Sequence, residues 1–296
     1  MARGSIPPGG LPDVCVAIVR EAPDAILVVD DQGRLVYVNG QAERTFGWRR
    51  DELIGEPVER LVPPGEREGH AARREGYLRQ PRLRQMGQGR LQGVRKDGSL
   101  VYLEIALNRI ASGAERYTIA IARDVDDRVA EEERLRHLST HDGLTDLYNR
   151  AFFDAEVDRL ARGRRTPISV VVIDVDELKR VNDRHGHAAG DQHLRRLAAV
   201  LRSAFRGDDV VARLGGDEFC VIMPGVSPED RDRAVRRFRE DLRRHNDVAA
   251  GGAVEVSIGS ATAKVGPAVP AALRAADERM YAAKRAKTGR RRHSIH

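Results

Sequence analysis

The sequence predicts two mixed domains, α+β and α/β in class, joined by a helical linker. Three observations carry that expectation. A chain of 296 residues has room for about two domains. The first part runs two strands, short helices, then three strands, which is an α+β order. The second part holds an apolar β-branched run, Ile168-Ser169-Val170-Val171-Val172-Ile173, and a Gly-Gly pair flanked by apolar runs. The run reads as a buried strand and the pair as a β-hairpin.

Residues 1–12 read as a flexible leader and 13–21 as a short helix with Val14, Ala17 and Ile18 on one face. Ala25 to Val29 and Arg34 to Val38 read as strands around the turn Asp30 to Gly33. Gln41 to Phe46 and Asp51 to Ile54 read as short helices, and Glu66 to Arg79 as a longer, very polar one. Strands follow at 89–95, 99–107 and 117–124, the first two joined by Lys96-Asp97-Gly98. Together these make a first domain over 13–126.

That domain resembles a PAS sensor. The residues carrying the likeness are Val29-Asp30-x-x-Gly33, Asn39-Gly40-x-Ala42, Phe46-Gly47-Trp48, Glu52-Leu53-Ile54-Gly55 and Arg95-Lys96-Asp97-Gly98-Ser99. The resemblance implies an antiparallel sheet with short helices that senses through a ligand or through dimer rearrangement. Gly76-Tyr77-Leu78, with Met86-Gly87-x-Gly89-Arg90 beyond it, is similar to the haem-binding oxygen sensors. Those place an iron-ligating His just before the Gly-Tyr pair. Here Arg73, Arg74 and Glu75 fill that place, so haem is not expected, and His70, one turn further back, is the remaining candidate ligand. Asn39-Gly40-Gln41 lacks the Cys that flavin photochemistry of the LOV type needs. The ligand is left unassigned, as an empty pocket or a small metabolite.

Residues 127–140 form the linker. Val129 to Leu138 is dense in Glu and Arg with no Gly or Pro, so it reads as a helix. Leu135 and Leu138 fit a and d positions, while Arg128 and Glu131 break the heptad before them. The expectation is a short helix that pairs with its copy in a dimer and transmits torque.

The second domain spans 141–292. Its buried strand ends in Asp174-Val175-Asp176, and its hairpin turn reads Gly215-Gly216-Asp217-Glu218. Glycine suits a tight turn and lets a bulky ligand approach the backbone. Carboxylates at a strand end and a turn lip suit hard cations, which take oxygen ligands and retain substrate phosphates. Asp174 with Asp217 is placed to hold two such ions against a triphosphate.

Further matches accumulate at ordered spacing. They are His141-Asp142-Gly143-Leu144-Thr145-Asp146-Leu147-Tyr148-Asn149-Arg150, Asn182-Asp183, Gly186-His187, Gly190-Asp191, Val256-Ser257-Ile258-Gly259, Ala276-Asp277 and Met280-Tyr281-Ala282-Ala283-Lys284. With Arg213 to Phe219, they make this half resemble the GGDEF domain of diguanylate cyclases. The resemblance implies a palm-like central sheet surrounded by helices. It also implies a homodimer that joins two GTP into cyclic di-GMP, releases two pyrophosphates and uses two Mg²⁺ or Mn²⁺ per site. Asp174, the Val175 carbonyl and Asp217 would hold the metals. Asp217 or Glu218 would help deprotonate the 3′-hydroxyl. Gly215 and Gly216 would admit the α-phosphate, and the amides of Glu177, Leu178 and Lys179 the outer phosphates. Asn182 and Asp191 would read guanine, whose N1-H and N2-H match a carboxylate, with His187 beside them. Lys284 would meet the terminal phosphates. The family's following Arg sits two residues late, so either Arg290 or Lys287 takes its place. Arg206-x-x-Asp209 matches a site where product binds and inhibits, with Arg237 of a neighbouring domain as a second contact.

Composition excludes several classes. The net charge is +6, yet aromatic content is 4% and basic residues do not alternate with aromatics, so nucleic acid is not an expected partner. The two cysteines, Cys15 and Cys220, lack metal spacing and read as reduced thiols of a cytoplasmic protein. No apolar run approaches the ~20 residues of a membrane span, and no signal-peptide core precedes Pro7-Pro8-Gly9-Gly10. The rival reading is a catalytically silent receptor for cyclic di-GMP, or a PAS-controlled signalling scaffold. Intact Asp174, Asp217 and glycines favour the enzyme.

Overall fold

A computed structural model describes residues 11–79, 89–113, 115–248 and 252–293, with the side chains of 11–13, 112 and 288–293 outside that description. The chain divides into two compact units, Met1–Glu133 and Arg134–His296.

In the first unit, α1 (Leu11–Arg20) precedes β1 (Ala25–Asp30), β2 (Leu35–Val38), α2 (Gly40–Phe46), α3 (Arg50–Leu53), α4 (Arg67–Arg79), β3 (Leu91–Val94), β4 (Leu100–Ser112) and β5 (Glu115–Asp124). Among the described residues the strands form one antiparallel sheet in the order β2-β1-β5-β4-β3. Alternation puts Leu27, Val29, Val101, Leu103, Ala120 and Ala122 on one face, where Phe46 and Leu53 close the core.

The turn chemistry explains the polar motifs. Asp30 accepts from the backbone N–H groups of Gln32 and Arg34, and Gly33 takes φ 85°. Buried Asn39 caps α2 by accepting from Ala42 and Ile26, and donates to the carbonyls of Val19 and Asp24. Arg95 ties the β3–β4 hairpin to Asp124 and Asp126.

One expectation changes here. The first helix begins at Leu11, and Ile18 is 63% exposed rather than packed with Val14 and Ala17. His70 Nδ1 lies 3.1 Å from Glu59 Oε1, which also accepts from Arg74 Nε at 3.0 Å. Helix α4 buries no residue. His70 therefore shares the Glu59 carboxylate with Arg74. Met86 and Gly87 lie outside the described residues.

Helix α5 (Asp126–Thr140) covers the linker and leaves Leu135 and Leu138 each 54% exposed. The second unit continues with α6 (Arg150–Arg162), β6 (Ile168–Val175), α7 (Leu178–His185), α8 (His187–Ala204), β7 (Val210–Gly215), β8 (Glu218–Pro224), α9 (Pro228–Val248), β9 (Val256–Ala263) and α10 (Val269–His293). Its described strands pair antiparallel in the order β7-β8-β6-β9. Central β6 is buried along its whole length. Val171, Ile173 and Val175 meet Leu197 and Leu201 of α8 and Phe238 of α9 on one face. Ile168, Val170 and Val172 meet Phe153 of α6 and Ala276 and Met280 of α10 on the other. Each such Val or Ile contributes about 2 kcal/mol through burial. A strand covered on both faces delivers Asp174, the residue before its last, to a fixed place.

Gly259 sets how closely α10 approaches. A Cβ there would lie 2.0 Å from the Ala276 carbonyl oxygen and 2.3 Å from the Met280 nitrogen. Both are helix backbone and cannot step aside. Gly259→Ala is therefore expected to destabilise the second unit by about 3 kcal/mol, read as a lowered midpoint in denaturant unfolding. An unchanged midpoint would show that α10 is not seated there.

Candidate active site

The site is built where β6 ends beside the β7–β8 turn. Asp174 pairs in register with Glu218, and the Val175 N–H donates to the Asp217 carbonyl at 3.0 Å. These contacts bring Asp174 and Asp217, 43 positions apart, together as the sheet folds the chain back on itself. The register shifts between Arg213 and Gly215, and Gly215 and Gly216 adopt φ 138° and 54°. Side chains rarely tolerate such angles, which is why two glycines stand there.

Electrostatics follow from burial. The Asp174 side chain is only 7% exposed, and burial pushes its pKa above the ordinary carboxylate value. Its ion pair with Lys284 works against that rise, and the Asp217 charge adds to it. Lys284 Nζ lies 2.6 Å from Asp174 Oδ1 and 3.8 Å from Asp217 Oδ2. Burial disfavours the Lys284 ammonium, yet the neighbouring carboxylates hold its value above normal. A cation thus already bridges the two carboxylates. Among the described residues, no group of three or more His, Cys, Asp and Glu side chains surrounds a metal position. Two carboxylates and a main-chain carbonyl, all oxygen donors, fit a hard cation that keeps phosphate and water ligands.

Beyond β6 the chain turns sharply. Asp176 accepts from Ser257 Oγ at 2.6 Å and from Lys287 Nζ at 2.7 Å, and Lys287 also donates to the Val256 carbonyl at 2.7 Å. Lys287 is thereby committed to a structural pair. Arg290 falls outside the described side chains. Glu177 adopts a left-handed φ of 57° and opens α7. That conformation is costly for a residue with a Cβ and marks a place where strain is held by its surroundings. Leu178 packs onto the core and Lys179 is exposed, while the first amides of α7 lack intrahelical partners.

Asn182 and Gly190 explain each other. A Cβ at position 190 would fall 1.9 Å from Asn182 Oδ1, and that oxygen is buried with no hydrogen-bond partner. A buried, unsatisfied amide oxygen is costly and points to an expected ligand. Asp191 follows Gly190 at a half-buried position, and exposed His187 begins α8.

Arg206 and Asp209 share the turn between α8 and β7. The Arg206 N–H donates to Asp209 Oδ2 at 2.9 Å, and burial raises the Asp209 carboxyl. Arg237 donates to the Ala204 carbonyl, close to this turn within the same unit.

The sequence reading assigned no role to three residues that organise the site. Asp142 Oδ1 accepts from Thr145 N, Thr145 Oγ1 and Arg213 Nη1 at 2.9, 2.7 and 3.0 Å. Arg213 also donates from Nε and Nη2 to the Gly216 carbonyl at 3.2 and 2.8 Å. Arg150 Nε donates to the Leu214 carbonyl at 2.9 Å. Only Arg213, which flanks the glycine turn, carries a local signal; Asp142 and Arg150 reach the turn from distant segments.

The comparisons agree with this architecture. The family model described as "Diguanylate cyclase, GGDEF domain" matches residues 139–290, and the PAS fold model matches 15–125. The chain belongs to the GGDEF family and carries a PAS domain ahead of that region. An uncharacterized protein of Mycobacterium tuberculosis is 41% identical over 204 residues, covering 66% of this chain and 31% of that protein. The diguanylate cyclase TpbB of Pseudomonas aeruginosa is 41% identical over 169 residues, 55% of this chain and 39% of that protein. The chain thus spans well under half the length of these relatives. The coiled coil and GGDEF domain of DgcB from Caulobacter crescentus, solved in complex with c-di-GMP, superposes with a TM-score of 0.50 at 32% identity. It covers 54% of this chain and 88% of that chain.

The Asp142 anchor has a pH signature. Burial opposes the Asp142 anion, but bonds from Thr145 and Arg213 outweigh it and hold the carboxyl below its ordinary value. Its stabilisation is therefore complete above the ordinary value and lost as pH falls through the lower folded one. Asp142→Asn is expected to cost about 1–3 kcal/mol near neutrality. The gap from wild type should close in strongly acidic urea melts. A gap that persists there would remove the charge from the account.

Proposed function

We propose that this chain is an active diguanylate cyclase that condenses two GTP molecules into cyclic di-GMP as a homodimer. The observation that carries the reading is the convergence of Asp174 and Asp217 around one cation at the end of a fully buried strand. Asn182 supplies an unsatisfied amide oxygen on the Gly190 shelf, and half-buried Asp191 follows that glycine in the chain. Together they suit the donor edge of guanine.

A bound Mg²⁺ pair would polarise the α-phosphate and neutralise the charge that develops on the leaving pyrophosphate. The protein's own share is placement. Asp174, the Val175 carbonyl and Asp217 would hold those ions. Gly215 and Gly216 leave the backbone open to the α-phosphate, since nothing lies within 4 Å of a Cβ built on either. The first amides of α7, at Leu178 and Lys179, face outer phosphates as donors. Lys284 moves from its carboxylate partners to the terminal phosphates as a point charge. Asp217 or Glu218 takes the 3′-hydroxyl proton. With positioning and charge neutralisation as the main contributions, no covalent intermediate is needed.

Each protomer binds one GTP, so a second copy must present the other. Leu135 and Leu138 on α5 remain half exposed, and a second copy's helix would cover them. The PAS domain would bias that pairing. Arg206 and Asp209 would bind product and restrain the enzyme, with Arg237 close at hand. No described helix is long and apolar enough to cross a membrane, and the protein is proposed to act in the cytoplasm.

Incubation with GTP and Mg²⁺ should yield cyclic di-GMP by chromatography. Asp217→Asn should lower turnover at least about 100-fold with its melting curve unchanged. Arg206→Ala should retain turnover and lose inhibition by added cyclic di-GMP. Wild-type protein that binds cyclic di-GMP tightly but makes none would move the chain to the receptor class.

A further inference from the structure

The Gly-Gly turn has no side chain of its own to brace it, and both glycines sit at positive φ. Its shape is held from outside. Arg213 covers the Gly216 carbonyl, one residue before Asp217. On the other flank, Arg150 Nε covers the Leu214 carbonyl at 2.9 Å, and its Nη2 lies 3.6 Å from Glu218 Oε2.

Arg150 is rooted on a firm mount. It is the first residue of α6, whose cap Asn149 accepts from Phe152 N at 2.9 Å and donates to the Ser139 carbonyl at 2.8 Å. Phe153 and Leu160 of α6 are buried in the sheet's core. The base of the side chain is therefore fixed, while its head reaches the turn. An ion pair at 3.6 Å between half-exposed groups contributes little. The directional bond to the Leu214 carbonyl carries the geometry.

We propose that Arg150 is a positioning residue that presets the turn, so that Asp217 and Glu218 already face Asp174 when metal and nucleotide arrive. An unpinned turn would have to be ordered at each binding event, at a cost in backbone entropy. Lysine keeps the charge but cannot span the carbonyl and the carboxylate with a fork of donors. The catalytic consequence rests on the cyclase reading; the pin itself does not.

The test uses the full chain with Arg150→Lys, Arg150→Ala and, as a control on the exposed face of the same helix, Arg162→Gln. Hydrogen exchange is followed across residues 213–219, and turnover of GTP is titrated with Mg²⁺. In both Arg150 variants, exchange in the turn is expected to quicken about tenfold, with β6 amides still protected. Turnover should fall about tenfold at limiting Mg²⁺ and recover in part with excess Mg²⁺. Arg162→Gln should match wild type in both measurements.

Unchanged turn exchange in Arg150→Ala, or protection lost along all of β6 and β8, would overturn the proposal. Rates that fall equally at every Mg²⁺ level would overturn it too. If Arg150→Ala does not fold, Arg150→Lys carries the same comparison. Wild-type protein that makes no product, with turn exchange still answering to Arg150, would sink the cyclase reading and leave the pin standing.

Discussion

The burial of one carboxylate governs the second unit. Asp174 closes a strand that is covered on both faces, and it stays only 7% exposed. An isolated charge in such a place is expensive. Lys284 answers it from α10, a helix brought near by the missing side chain of Gly259. The same packing that makes the charge costly supplies its counter-ion. The resulting carboxylate–ammonium–carboxylate arrangement resembles the environment of a bound cation and polyphosphate.

Around that centre, rigidity is distributed unevenly. The strand floor is anchored by apolar burial, whereas the turn above it depends on a few hydrogen bonds to bare carbonyls. Asp142 joins the two regimes through Arg213. It lies in the turn that follows α5, and His137 and His141 stack at 4.0 Å in that same stretch. Asp142 and Arg213 thereby join the start of the second unit to the hairpin.

The first unit follows a different logic. Its motifs are mostly turn devices: the Asp30 turn, the Asn39 cap and the Arg95 tie. These keep a half-covered antiparallel sheet in register. Helix α4, which buries nothing, is held by Glu59 through His70 and Arg74. His70 and Arg74 thus share one acceptor, Glu59.

Much of this was legible in residue order. Strand periods, the glycine turn, the Asn and Asp caps and the acidic strand end act over a few residues, and local patterns report local forces. The identity of the carboxylates at the site is likewise a sequence property. Their meeting is not. Asp174, Asp217 and Lys284 converge only because β6 pairs with β8 and α10 packs on that sheet. The commitment of Lys287 to Asp176, the shelf that Gly190 offers Asn182, and the grip of Arg150 and Arg213 on the turn also depend on distant segments. Long side chains choose partners by proximity in space, and only the tertiary structure decides which carbonyl or carboxylate lies within their reach.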